Sequence, residues 1–430
     1  MYAEKQANEH PIMPNFRRTL LAATAITAAS GTQAVPIYQS NQVTLYMEGY
    51  LTAHMVNSFG DTSMQNGASR IRIGLNVPAY DLWDTGFNVE WGVNAINSAG
   101  NVVIQGDQQA ALGETQRSLY LRQGHGFAKH PKWGEFSAGK QWGVYYEVTY
   151  ITDWYNVSGG LASGTYALGT DGGVTGTGRA DSALAWRKSW ETEAGEFKIG
   201  VQYAAHVADL EINVDLGPGM ELECPHGDCE YGISHGIAAV YRADIGDGFF
   251  IGAAYNRVKL DIQTDNGLVY DLSSGERVLI DSNYPINSSS NDWTTALGMY
   301  YGKEAFAKGF YGAVVFQRSQ NNELAPAGSV VGITNFFDAK GSESFLSYTW
   351  GKDNCYSVYG GHNYLVSDDP EFDAALVDAN RYKLAQYYLG VQYRWNERVR
   401  LYWENGYDDS NAVARQQYDS FMAVGFRIDI

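Results

Sequence analysis

Past residue 34 the sequence holds no apolar run long enough to cross a bilayer as a helix. Every later apolar stretch is cut by glycine or a polar side chain well short of the about 20 residues required. Helical membrane bundles are thereby excluded. Bases are scarce as well: 30 Lys and Arg face 48 Asp and Glu, a formal charge of −18. That balance excludes a nucleic-acid binder, which must neutralise phosphates. It leaves a membrane barrel open, because such a barrel can carry its acids in loops and lumen. Ten prolines against 48 glycines leave no polyproline linker and suggest many bends and turns. The three cysteines include Cys224 and Cys229 in one polar stretch, where an oxidising compartment favours a small disulfide loop. Two thiols with His226 make an incomplete metal set, so no metal or other cofactor is expected, and Cys355 reads as a packed side chain. What the chain does have is apolar bulk, 45% of residues, with 31 tyrosines, which excludes disorder.

The N-terminus reads as an export signal. Arg17 and Arg18 precede the apolar run Leu20 to Ala29, and Thr32-Gln-Ala34 supplies small residues for cleavage. Residues 1–34 are therefore expected to be an extension plus signal peptide, with Met13 a natural start. The mature chain is expected over 35–430. An exported chain without a second apolar helix is either soluble outside the inner membrane or a barrel in the outer one.

The pattern after Val35 decides between them. In Phe197 to Val207, Phe197, Ile199, Val201, Tyr203, Ala205 and Val207 share one parity, and Lys198, Gly200, Gln202 and His206 share the other. Successive strand side chains point to opposite faces, so the segment is a strand with one greasy and one polar face. Arg70 to Val77, Phe87 to Ala95 and Arg398 to Glu404 repeat the pattern. Sixteen such segments are expected, near 43–56, 68–79, 84–97, 114–126, 132–142, 179–190, 195–207, 231–244, 247–261, 291–303, 307–319, 340–350, 353–365, 381–395, 398–409 and 418–430. Short links such as Tyr80–Trp83, Glu191–Ala194 and Asn396–Glu397 alternate with long polar ones such as 98–113, 208–230, 262–290 and 320–339. An up-and-down barrel has that rhythm, with tight turns on one rim and long loops on the other.

A soluble β-sandwich could also hide the apolar face. Against it stand the even strand count and the lengths, close to the about 9–11 residues of a tilted membrane strand. Trp83, Trp133, Trp190, Trp350 and Trp395 all sit near short turns, where an interfacial girdle belongs. In the last segment Met422, Val424, Phe426, Ile428 and Ile430 share a parity opposite Arg427 and Asp429, so a terminal strand can close the barrel on the first. The expected fold is all-β, a 16-stranded antiparallel transmembrane barrel.

Particular residues then resemble a known family. Trp133 to Glu147, with Tyr150 to Asp153 and Gly159-Gly160, resembles the strand and loop entry of the general (diffusion) porins of Gram-negative outer membranes. Gly178-Arg179 and Ala185 to Ser189 resemble the strand that leaves that loop, and Val43 to Tyr46 the first strand. The likeness is strongest over about 130–190 and architectural elsewhere. It implies a homotrimer in contact with outer-membrane lipid and lipopolysaccharide. It also implies a third loop, here about 144–178, folded into the lumen to narrow the pore. Carried over, the wall's basic cluster would be Arg72, Lys140, Arg179 and Arg187, facing Asp153 on the loop. Lys140 shares parity with Phe136 and Ala138, so it faces the pore only if a bulge shifts the register. Glu48 stands where the family often has a base, Val157 where it often has a loop acid, and Ile430 in place of a terminal Phe.

The expected function is a water-filled channel for ions and small hydrophilic solutes, weakly cation-preferring because acids exceed bases and Glu48 adds one to the lumen. The alternative is a channel specific for a sugar or anion, marked by an aromatic track or a one-sign charge ladder. An enzyme needs nucleophile, base and orienting group together. The eight histidines are scattered instead, with His54, His206 and His362 in strands and His125 and His130 beside a turn.

Overall fold

The computed structural model describes residues 34–94, 96, 118–167, 170–209, 214–217, 220–223, 229–263, 268–271, 276–279, 287–326, 329–330, 336–377 and 379–430. The expected export signal, Cys224, His226 and the side chain of Cys229 lie outside them. Cys355 is free and partly buried.

The first half of the chain forms β1 (Val35–Gln39), β2 (Thr44–Ser58), β3 (Asp61–Asn66), β4 (Arg70–Pro78), β5 (Asp84–Val93), β6 (Leu119–His130), β7 (Gly134–Trp142), β8 (Arg179–Thr192) and β9 (Gly195–Asp209). The second half forms β10 (Val214–Gly217), β11 (Met220–Glu223), β12 (Cys229–Ala243), β13 (Phe249–Gln263), β14 (Leu268–Asp271), β15 (Glu276–Leu279), β16 (Asn287–Tyr301), β17 (Gly309–Leu324) and β18 (Phe336–Trp350). It ends with β19 (Tyr356–Ser367), β20 (Lys383–Arg394), β21 (Val399–Asp408) and β22 (Phe421–Asp429).

Each wall strand pairs antiparallel with its sequence neighbour, and β22 pairs back onto β2 from Phe421↔Ser58 to Asp429↔Tyr50. The wall is thus closed, its last strand paired to its first. β3 and β4 occupy one edge of β2 in succession, so they are one wall strand broken at Gly67-Ala68-Ser69. β1 is a short addition pairing with Thr44–Met47. The wall therefore has sixteen strands, as the alternation implies. Several boundaries differ by four or five residues: β16 begins at Asn287, β17 runs on to Leu324, β18 begins at Phe336, and the strand expected at 114–126 runs Leu119–His130. It stops at Pro131, which has no N–H to continue the ladder. The stretches 208–230 and 262–290, read from sequence as loops, contribute β10, β11, β14 and β15 to a separate four-stranded sheet.

The barrel is inside out relative to a soluble sandwich. On β22, Met422, Val424, Phe426 and Ile428 are exposed, whereas Phe421, Ala423 and Asp429 are buried. On β9, Val201, Tyr203 and Val207 are exposed and Gln202 is buried. A band of exposed apolar side chains around the whole circumference is far beyond what a soluble surface carries. Hydrocarbon stabilises it and water does not. Trp133, Trp190, Trp350 and Trp395 are exposed beside short turns. Half-buried Trp83 packs on His130 and Phe136, ring centroids 5.0 and 6.3 Å apart.

Candidate functional site

The connection between β7 and β8 lies against the polar, inner face of the wall. It opens with a turn of helix, α1 (Tyr146–Thr149), and a 3-10 turn over Tyr150–Thr152. Val144, Tyr145, Val148 and Ile151 are buried against Val240, Phe250, Val315 and Phe345, inward-facing residues of β12, β13, β17 and β18. Glycines make room for this contact. Gly252 and Gly298 stand opposite each other on β13 and β16, and a Cβ on Gly298 would come within 2.7 Å of the Val148 carbonyl oxygen. On β18, a Cβ at Gly341 would lie 2.2 Å from the Ala162 carbonyl oxygen. Only hydrogen fits at either position.

Backbone groups of a coil segment must find partners once buried, and the wall supplies them. Glu404 of β21 accepts from the Asn156 N–H at 2.8 Å, the Val157 N–H at 3.2 Å and the Tyr359 hydroxyl at 2.8 Å. Glu343 of β18 accepts from the Ala162 N–H at 2.6 Å and the Thr152 hydroxyl at 2.9 Å. On the return path Asn256 donates to the Thr175 carbonyl at 2.7 Å, and Gln202 to that of Gly176 at 2.9 Å. Gln202 also accepts from the Val144 N–H at 3.1 Å, so one side chain joins both ends of the segment. Neither glutamate stands out in the sequence, beyond lying on the polar parity of its strand.

The six residues singled out from sequence fall into four groups. Arg72 bonds Glu48 at 2.5 Å and Glu90 at 2.7 Å, and Arg122 meets Glu90 at 2.9 Å. Glu48, Arg72, Glu90 and Gln123 stand opposite one another across β2, β4, β5 and β6, the first three alternating in sign. Lys140 bonds Asp181 at 2.6 Å and Asp171 at 3.0 Å, and Arg179 reaches Asp171 at 3.3 Å. The register slips beside Lys140: between Gly139 and Gln141 two steps of β7 face three of β8, and Ser182 of β8 takes φ 48°. Arg187 bonds Glu147 of α1 at 2.6 Å, and Lys198 bonds its other oxygen at 2.8 Å. Asp153 accepts from the Tyr146 and Tyr166 hydroxyls at 2.9 and 2.8 Å, both within the segment. Asp171 and Glu147 are loop acids that meet the wall's bases. Lys198, Glu90, Arg122, Glu343 and Glu404 complete the arrangement, and sequence reading missed all five.

Burial alone raises a carboxyl pKa, yet Lys198 and Arg187 outweigh it and hold Glu147 below the usual glutamate range. Burial likewise opposes Arg179 and Lys140 at Asp171, and the two cations again win. A carboxyl depressed in the folded state contributes its full stability above its unfolded value. It loses that contribution only as pH falls through the folded value. These two attachments are therefore expected to persist at neutral and mildly acid pH. Carbon-13 titration of the Glu147 carboxyl checks this: the midpoint should lie below that of an exposed glutamate, and an ordinary midpoint would refute the pairing.

Inner charges, an outer apolar band, tight turns on one rim and a closed sixteen-strand ladder define a transmembrane β-barrel. The chain belongs to the Gram-negative porin family, whose model matches residues 19–412, and it is an outer-membrane channel protein of that kind. Among solved structures it is similar to Salmonella typhi OmpF in complex with daunomycin: 18% identity over 92% of this chain and all of that one, TM-score 0.60. The outer membrane protein OmpT of Vibrio cholerae with loop L8 deleted matches at 15% identity over 91% of this chain and all of that one, TM-score 0.57. An anion-selective porin from Comamonas acidovorans matches at 14% identity over 90% of this chain and all of that one, TM-score 0.52. A comparison with curated protein sequences found no match. At these identities the structural likenesses speak for the fold alone.

Proposed function

We propose that the chain is a general porin, a homotrimer in lipid and lipopolysaccharide through which ions and small hydrophilic solutes diffuse passively. The observation that carries this reading is the segment 144–178, buried against the inner wall and paired with wall cations through Asp171 and Glu147. A segment so placed narrows the passage, and the opposed charges at its margin orient water and dipolar solutes in transit. Its length without strand pattern suits a functional loop.

A sugar-specific track requires accessible ring faces. The most prominent stack, Trp142 on Tyr146 at 3.8 Å, has the Arg179 guanidinium over the Trp142 ring and the Tyr146 hydroxyl tied to Asp153. That engagement favours a general pore over a sugar slide, and membership of the porin family supports a channel rather than an enzyme. Cation preference is weak in this account: the lumen clusters pair their charges, leaving the chain's excess of acids to bias the field. Proteoliposomes carrying the protein should swell in isosmotic monosaccharide. A KCl gradient should give a small reversal potential of cation-selective sign. An anion-selective sign would overturn the preference, and impermeability to sugars would overturn the general pore.

A further inference from the structure

Two arginines face each other on the inner wall where electrostatics alone would not put them. Arg400 of β21 and Arg427 of β22 are direct cross-strand partners, and like charges in that position destabilise a sheet. Both point inward, since Leu401, Phe426 and Ile428 beside them are the exposed residues. One carboxylate serves them both: Asp429 accepts from Arg400 Nη2 at 2.8 Å and from Arg427 Nε at 2.7 Å. The Arg427 guanidinium lies 3.5 Å from the centre of the Tyr50 ring, with that of Arg70 at 4.7 Å. Arg427 Nη2 is buried without a hydrogen-bond partner among the described residues. The side chains of Arg400 and Arg427 retain 11% and 13% exposure, on the lumen side.

Asp429 faces both arginines, as other wall carboxylates face two cations, but here the two cations sit directly across from each other on neighbouring strands. Here a second guanidinium is held alongside, fixed in plane by an aromatic ring, with a donor left over. Fixed, forked donors with surplus positive charge match the oxygens of phosphate or carboxylate. We propose that Arg400 and Arg427, positioned by Asp429 and Tyr50, form a lumen subsite for a small oxyanion in transit, set apart from the clusters at the segment 144–178. This rests on the channel reading, because only a solute within the lumen reaches the site. A local anion subsite is compatible with weak overall cation preference, since binding at one point and the mean field are separate quantities.

The test is single-channel recording of the full-length protein in planar bilayers. Chloride is replaced stepwise by inorganic phosphate at constant ionic strength. Phosphate should lower the conductance in a saturable way, beyond what its mobility explains. Arg427→Gln and Arg400→Gln should each raise the half-effect concentration roughly tenfold through loss of a charge-assisted fork. Asp429→Asn, which removes the competing carboxylate, should lower it. These opposite shifts distinguish a binding site from a general loss of folding, and either arginine variant suffices if the other fails to insert. A non-saturable phosphate effect, or one equal in wild type and variants, would overturn the subsite while leaving the channel intact. Absence of current steps in the wild type would remove the channel reading and the subsite with it.

Discussion

Replacing Glu343 and Glu404 together by alanine is expected to raise single-channel conductance roughly twofold, because a pore conducts according to its narrowest section. The two carboxylates hold the far part of the segment. Glu404 takes the N–H groups of Asn156 and Val157, and Glu343 takes that of Ala162. Without them these donors stay buried and unpaired, at a cost of about 1–3 kcal/mol each. The segment then leaves the wall to hydrate them. The apolar contacts of Val144, Val148 and Ile151 remain, so the entry stays anchored and the tip moves. Open-channel noise should rise with the mean current. Glutamine at both sites, which can still accept hydrogen bonds, should restore much of the wild-type behaviour. A double alanine variant with unchanged conductance and noise would show that the segment is held by other contacts.

The second large effect concerns the barrel itself. Glu90 lies between Arg72 and Arg122, with Gln123 donating to it at 3.3 Å, and its side chain is 2% exposed. Glu90→Ala leaves Arg122, whose side chain is fully buried, without that carboxylate and weakens the hold on Arg72. Removing one member of a buried charge network typically costs about 3–5 kcal/mol. Urea unfolding in lipid vesicles, followed by tryptophan fluorescence, should show a midpoint lowered accordingly. Glu48→Ala should cost less, because Arg72 keeps Glu90. Equal losses from the two variants would mean that the ladder is not organised around Glu90.

The wall was legible from sequence because its signal is local. In β9 or β22, residues two apart share a face, and a lipid exterior makes the greasy face unmistakable. The four short strands β10, β11, β14 and β15 were not, since four residues give alternation too little length to register. Asp171 and Glu147 lay within the segment marked out from sequence, yet their partners could not be chosen without the fold. Lys140 shows why: its parity pointed to the lipid face, yet its ammonium reaches Asp181 and Asp171, which no strand pattern relates to it. The anchors were the least legible. Glu343 and Ala162 are 181 positions apart, Glu404 and Val157 are 247 apart, and no local pattern relates them. Asp153, expected to oppose the wall's bases, accepts from two tyrosines of its own segment, a contact that strand parity could not foresee.

Polymer exclusion addresses the central claim, that a water-filled pore is narrowed from within by the segment 144–178. Single-channel conductance would be recorded with polyethylene glycols of graded size in the bath. Polymers that enter a pore lower its current, and those that do not leave it unchanged. Discrete current steps are expected, with a cut-off near the size of a small oligosaccharide that shifts to larger polymers when Glu343 and Glu404 are both alanine. Absence of steps, or a cut-off in the wild type as large as that of the double variant, would contradict it.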